Sequence, residues 1–309
     1  MHRIILDTDP GIDDALALFL ALSSPEIQLE AITTVSGNVP VDFTTRNALA
    51  LLTLLGRTDI PVARGCRYPL LRPYVDAAHV HGDNGIGNIE LPPPQSEPVA
   101  QHAVDLIIEK VMNAPGEITL VPIGPLTNIA LALRHEPRIA ERVREVVIMG
   151  GAVRVPGNVT PGAEFNIYVD PHAAHAVFHA GWPLRLVSLD ATMQVAMTRE
   201  QIEELAQHGS KVATAIKQMT TFYFDVFAAQ YSHDFHMHDP LCLAAVFQPD
   251  LITWQPAYVD VELAGTLTLG QTVAYIHRSD MPGIPNMQVS LGADEGRFMQ
   301  LFLERVKQL

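Results

Sequence analysis

Apolar segments of strand length recur along the chain at Arg3–Asp7, Ile27–Val35, Ile118–Gly124, Val143–Gly150 and Leu184–Asp190. Stretches with helical spacing separate most of them, the βαβ alternation of a parallel sheet covered on both faces. The first unit is the clearest. After its strand, Ile12, Ala15, Leu16, Phe19 and Leu20 stand at i, i+3, i+4, i+7 and i+8, the core stripe of an amphipathic helix. That spacing places Asp9–Gly11 in a strand-to-helix turn. Further helices are expected near 40–56, 98–113, 126–135, 170–181, 198–230, 239–247 and 293–308. Two segments resist the pattern. Residues 66–98 are rich in Pro, Gly and Asn and too long for an ordinary connection, which makes them a candidate lid. Residues 222–238, centred on Tyr231–Met237, are a second candidate mobile segment at the site. No repeat or composition break marks a boundary, so one domain spanning 1–309 is expected.

Composition narrows the function classes. With 309 residues, 48% of them hydrophobic, the chain has ample apolar material for a large core, which excludes disorder as the dominant state. The formal charge of −14 repels phosphate backbones and anionic lipid, so neither nucleic acid nor a membrane is an expected partner. The longest apolar run, Ala15–Leu22, falls far short of the roughly 20 residues a membrane span needs, and no basic region followed by an apolar one opens the sequence. A cytoplasmic location is the expectation. Cys66 and Cys242 are the only cysteines, too few for a disulfide framework or a four-cysteine zinc site; free thiols are expected.

Chemistry concentrates in Asp7-Thr8-Asp9-Pro10-Gly11-Ile12-Asp13-Asp14, with four carboxylates in eight residues where a strand ends and a helix begins. Acidic residues in a first helical turn are favoured by the helix dipole, worth about 0.3–1 kcal/mol each, which suffices for Asp13 and Asp14. It does not explain Asp7 and Asp9, which share a strand face by the period of two. Two such carboxylates about 4 Å apart repel by roughly 4 kcal/mol at an effective dielectric of 20, so a cation or proton must intervene. Hard oxygen donors without an adjacent imidazole or thiolate suit Ca²⁺ or Mg²⁺ rather than zinc. In open α/β sheets ligands lie beyond the carboxyl ends of strands, where Ile123–Asn128, Met149–Gly151, Glu164–Asn166 and His236–Pro240 supply further candidates.

Blander readings compete at several positions. Asp-Pro is a helix start in its own right and occurs at Asp9, Asp170 and Asp239; Asp170 is read as a cap. His172, His175 and His179 have a tempting metal spacing, yet the apolar stripe through Ala173, Ala176, Val177 and Ala180 leaves them on a solvated helix edge. His79 and His81 lie in the candidate lid, able to reach a ligand only after closure. Cys242 reads as helix core. Tyr223, Phe227 and Tyr231 share one helix face, with packing favoured for Phe227 and base stacking left open for Tyr231.

The acidic octapeptide resembles the DxDPGxDD fingerprint of the inosine-uridine preferring nucleoside hydrolases. The resemblance extends, in the family's order, through Thr33–Asn38, Gly124–Asn128, Met149–Gly151, Glu164–Ile167 and His238–Pro240. It implies a single-domain, Rossmann-like α/β open sheet, mostly parallel, assembled as a homodimer or homotetramer around a tightly bound Ca²⁺ in each subunit. Carried over by position, it implies Ca²⁺ on Asp9, Asp14, Asp239 and the main-chain oxygen of Ile123, with Asp9 also the general base on the attacking water. It implies ribose contacts from Asp13, Asn38, Asn158, Glu164 and Asn166, with Met149 in the sugar pocket. His81 and His238 then stand near the nucleobase, His238 as acid or hydrogen-bond donor to the leaving group.

The implied reaction is hydrolysis of the N-glycosidic bond of purine or pyrimidine ribonucleosides, with inversion because water attacks opposite the departing base. Two rivals begin from the same residues. A calcium-dependent nucleoside- or ribose-binding protein would hold the sugar without turnover. A haloacid dehalogenase-like phosphatase would use Asp7 as nucleophile with Mg²⁺.

Overall fold

The computed structural model describes residues 1–228, 234–276, 279 and 281–309, without the side chains of residues 227 and 228. Tyr231 and the packing of Phe227 lie outside that description. The chain opens with β1 (His2–Thr8), α1 (Ile12–Ser23), β2 (Ile27–Thr34), α2 (Val41–Leu54) and β3 (Val62–Arg64). Then come α3 (Ala78–His81), α4 (Ala103–Asn113), β4 (Ile118–Pro122), α5 (Thr127–His135), α6 (Ile139–Arg142) and β5 (Glu145–Met149). The middle of the chain forms α7 (Phe165–Val169), α8 (Pro171–Phe178), β6 (Leu184–Val187), α9 (Leu189–Thr192), β7 (Ala196–Met197), α10 (Arg199–Ala206) and α11 (Lys211–Phe222). A π-helical turn at Tyr223–Ala228 prolongs α11. The last elements are β8 (Phe235–His236), α12 (His238–Phe247), β9 (Ile252–Val261), β10 (Thr272–Tyr275), β11 (Met287–Ala293) and α13 (Glu295–Val306).

Among the described residues nine strands form one sheet in the order β10-β9-β11-β6-β5-β4-β1-β2-β3, parallel from β11 to β3. The strand period of two divides its apolar residues between two cores. Ile4 and Leu6 of β1 face a core built with α1, α2, α10, α11, α12 and α13, whereas Ile5 faces the core under α4, α5 and α8. The five stripe residues of α1 are fully buried. The expected single-domain α/β fold, mostly parallel with helices on both faces, is what the chain forms.

Differences from expectation have local causes. The helix expected over 198–230 breaks at Gly209, whose φ of +74° is left-handed, and Ser210 restarts it by accepting the Ala213 amide at 3.1 Å. Strands β9, β10 and β11 at one end of the sheet fall outside the apolar pattern; β9 pairs antiparallel with both β10 and β11, without a helical crossover. His175 and His179 do not merely face solvent but turn onto Asp260 of β9. Cys66 and Cys242 are free and buried, Cys242 against the Val147 carbonyl.

Strand β1 lies between β2 and β4, so the connections leave it in opposite directions. In an open parallel sheet that reversal opens a crevice beyond the strand ends. The loops after β1 and β4 meet there, bringing Asp9 and Ile123 to one place.

Candidate active site

Of the three Asp-Pro pairs only one is a cap. Asp170 caps α8, accepting the Ala173 amide at 3.0 Å, and also takes the Leu70 amide and the Thr127 hydroxyl, each at 2.8 Å. The N-cap of α1 is Gly11, and Asp239 stands inside the first turn of α12. Asp9 and Asp239 are therefore free for another task.

Asp9 and Asp14 are locked by a dense set of donors. Asp14 Oδ2 accepts the Gly11 amide at 2.9 Å and Asn38 Nδ2 at 3.1 Å, while Oδ1 accepts the Thr8 hydroxyl and the Asp9 amide. The Asn38 amide donates to Asp9 Oδ2 at 2.7 Å. Asp9 Oδ1, by contrast, is buried without a hydrogen-bond partner among the described residues. Glycines box that carboxylate in: a Cβ on Gly124 would come within 2.3 Å of Oδ1, and one on Gly37 within 2.0 Å of Oδ2. Asp13, Asp14 and Asp239 converge beside it, each offering an oxygen within 4.8 Å of the others.

These four carboxylates are almost wholly withdrawn from water, with exposures from 1% at Asp9 to 9% at Asp13. Burial, and then the charge of neighbouring carboxylates, drives Asp9 and Asp239 well above the ordinary range. The same causes push Asp13 up to about 8, and burial raises Asp14. Among the described residues no lysine or arginine lines the cavity above them. A buried acidic cluster of this kind fits a hard divalent cation with oxygen ligands.

Asp7 departs from expectation. Its Oδ1 accepts Thr33 Oγ1 at 2.6 Å and Asn128 Nδ2 at 2.7 Å, beneath the site and outside the cavity. Burial raises it to about 7, with those two hydrogen bonds opposing the rise. The inferred Asp7–Asp9 pair bridged by a cation is thus corrected: the Thr33 and Asn128 donors hold Asp7 in place, and Asp13 joins the cluster instead. A fully buried Asp7 also removes the phosphatase reading, which needs that residue as an accessible nucleophile.

Above the carboxylates lies a cavity of about 520 Å³. Asp13, Asn38, Ile123 and Asp239 line its floor, and Met149, Asn158, Glu164 and Asn166 one wall. Asp9 and Asp14 sit just beneath. Asn166 Nδ2 donates to the Ile123 carbonyl at 2.8 Å and the Met149 carbonyl at 3.2 Å. Glu164 caps α7 through the Asn166 and Ile167 amides and also accepts the Gly151 amide, so its position is set by three backbone donors. Asn158, on the exposed rim, accepts the Phe165 amide at 2.9 Å.

The opposite wall carries both sequence-predicted histidines. His81 needs no closure to arrive: its Nδ1 accepts the Ile12 amide at 3.1 Å, which leaves Nε2 as the proton-bearing nitrogen. Ala77 and Tyr74 tie the same segment to the Asn38 and Gly37 carbonyls. His238 Nδ1 lies 2.7 Å from Thr192 Oγ1. Burial pushes both imidazoles down to about 3, so both are neutral at neutral pH. Sequence reasoning gave no separate role to His236, Met193, Val159 or Phe235, which also line the cavity. His236 lies in the candidate segment His236–Pro240, on the same side of the extended backbone as His238. Tyr223 lines the cavity too, edge-on to Phe235 at 5.0 Å.

Comparison with known proteins gives the family of the chain and the likeness of its fold. Residues 4–300 match the family described as inosine-uridine preferring nucleoside hydrolase. The chain is 43% identical to the inosine-uridine preferring nucleoside hydrolase of Leishmania major, over 100% of this chain and 98% of that one. It is 41% identical to the pyrimidine-specific ribonucleoside hydrolase RihA of Enterobacter sp. (strain 638), over 99% and 97%. The solved purine-preferring ribonucleoside hydrolase from Gardnerella vaginalis superposes with a TM-score of 0.94 at 36% identity, covering 99% of this chain and 98% of that one.

Proposed function

The chain belongs to the inosine-uridine preferring nucleoside hydrolase family, and we propose that it hydrolyses the N-glycosidic bond of ribonucleosides to ribose and free nucleobase, with inversion at C1′. The observation that carries the reading is the buried, unpartnered Oδ1 of Asp9 among three other withdrawn carboxylates at the foot of a nucleoside-sized cavity. Asp9, Asp14, Asp239 and the Ile123 carbonyl would hold Ca²⁺, the hard ion their oxygens suit. Bound there, the cation supplies neutralisation of the acidic cluster and acidification of the nucleophilic water.

The chain's own residues do the rest. Asp9 Oδ2 is pinned by the Asn38 amide, so Oδ1 is the oxygen that takes the water's proton. Asn38, Asp13, Asn158, Glu164 and Asn166 orient the ribose, and Met149 packs against it. As the water oxygen bonds to C1′ the C1′–N bond breaks, with its electron pair leaving on the base. The surrounding anionic side chains favour the oxocarbenium character that develops between these events. His81 and His238, neutral at rest, face the departing base, His238 with its ring set by Thr192; the base nitrogen takes a proton from His238 or from solvent, and the proton on Asp9 returns to solvent, which restores both groups. Assembly as a homodimer or homotetramer and a cytoplasmic location belong to the same proposal, the former read by sedimentation. A reducing-sugar assay over a nucleoside panel, with and without a strong chelator and with Asp9→Asn, tests reaction, substrate and metal together. Tight nucleoside binding without sugar release over long incubation overturns the reading in favour of a binding protein.

A further inference from the structure

Helix α8 and strand β9 meet in a second cluster that hydrolysis does not use. His175 Nδ1 lies 2.8 Å, and His179 Nε2 3.2 Å, from the same Asp260 Oδ1. The three donors stand within 4.8 Å of one another. We infer that His175, His179 and Asp260 form a second metal site, one that takes a borderline divalent transition ion of the zinc class and pins the end of α8 to β9.

Three observations carry this. The first is donor type and spacing. Two imidazoles four residues apart, His175 in the last turn of α8 and His179 at its C-cap, joined by a carboxylate from another element, make a recurrent kind of zinc ligand set. Tetrahedral ligands about 2.0–2.1 Å from zinc lie about 3.3 Å apart, so the two observed carboxylate–imidazole distances need change by only a few tenths of an ångström. The second is support. The Val261 amide donates to Asp260 Oδ1 at 2.7 Å, an outer hydrogen bond that aims the carboxylate, and the Tyr258 ring flanks His179 with centroids 5.9 Å apart. The third is access. The three side chains are 30–42% exposed, open enough to admit an ion and leave a fourth position for water.

This donor set differs in kind from the all-oxygen floor of the nucleoside cavity, since imidazole selects transition ions that calcium does not displace. It is also remote from it. Strand β9 runs antiparallel to β11, and Asp260 lies past the residue that pairs with Met287 at the start of β11, towards the strands' amino ends. The nucleoside cavity opens at their carboxyl ends. Ala176, Val177 and Phe178, between the two histidines, bring no acid or base, so the ion's role is to join two elements and not to activate water.

Cobalt titrated into the calcium-saturated enzyme reads the site directly. The expected result is the intense visible spectrum of four-coordinate Co²⁺ at one ion per chain, displaced by zinc. The same zinc raises Tm, and His175→Ala/His179→Ala loses the spectrum and the Tm rise while keeping nucleoside hydrolysis. Only the weak spectrum of six-coordinate cobalt, or a full-strength spectrum in the double variant, overturns the inference. Should the variant fail to fold, anomalous diffraction from zinc-soaked wild-type crystals decides: a peak between the three side chains supports the site, and its absence refutes it.

Discussion

Asp9→Asn separates the chemistry of Asp9 from its shape. The Asn38 amide donates to Oδ2 at 2.7 Å, so an asparagine must keep its carbonyl oxygen there and turn its amide nitrogen to the Oδ1 position. The reverse orientation would set the amide nitrogen against the Asn38 N–H, donor against donor, in a buried place. The variant thus presents two N–H donors where the proposal needs a base. General-base catalysis is worth about 10²–10⁴-fold, or about 3–5 kcal/mol of barrier, and kcat should fall by at least that amount. Lost cation affinity would mimic part of the effect, so kcat is measured across a calcium titration and taken at its plateau. Ribose release within tenfold of wild type at saturating calcium would refute the assignment of Asp9 as base.

Gly124→Ala places a Cβ 2.3 Å from Asp9 Oδ1 and 3.2 Å from the Asp9 amide nitrogen, so the carboxylate must shift by about an ångström and kcat/KM should drop by about 10²-fold; unchanged kinetics would show that Asp9 needs no such confinement. His238→Ala should slow natural nucleosides far more than a riboside with an activated leaving group, and equal losses on the two substrates would reject a leaving-group role. Asp7 is held at about 7 by burial against an ordinary 3.8, which amounts to about 4 kcal/mol of stability present below pH 4 and lost as pH rises through 7. Urea unfolding of Asp7→Asn should therefore show a flatter pH profile than wild type over that window; parallel profiles would contradict the burial argument.

What was legible in the sequence was what local pattern encodes. The buried strands and the α1 stripe follow from apolar spacing, and the strand-to-helix turn at Asp9–Gly11 follows from both. Which carboxylates meet was less legible, because that depends on contacts between distant segments. Asp7 and Asp13 exchanged places relative to the spacing argument, since Thr33 and Asn128, both remote in sequence, claim Asp7. Strands β9–β11 are not legible because half-exposed strands lack a continuous apolar run. His81 lies in a segment without helical spacing, and what fixes its ring is the Ile12 amide, remote in sequence. Asp260 could not be paired with His175 and His179 while β9 itself was unrecognised.

The withdrawn carboxylates also make the cation part of the fold. An acid whose folded pKa exceeds its unfolded value contributes stability below the unfolded pKa and loses it as pH rises through the folded one. Asp13, raised to about 8, and Asp9, Asp14 and Asp239, raised by the same burial, therefore penalise the chelated protein as pH climbs from about 4 to 8. Calcium at the floor of the cavity favours the ionised forms, which reverses the sign over the same window. Ligand at a hundredfold its Kd adds about 2.7 kcal/mol to the folded state. Chelated protein should then melt higher at pH 6 than at pH 8, and the gain in Tm on adding calcium should be larger at pH 8. Carrying Asp7→Asn in both conditions removes the pH dependence of Asp7, a buried carboxylate outside the proposed ligand set. Melting temperatures that ignore both chelator and calcium at either pH would mean that these carboxylates are neutralised by the protein itself, and the cation reading would fall with them.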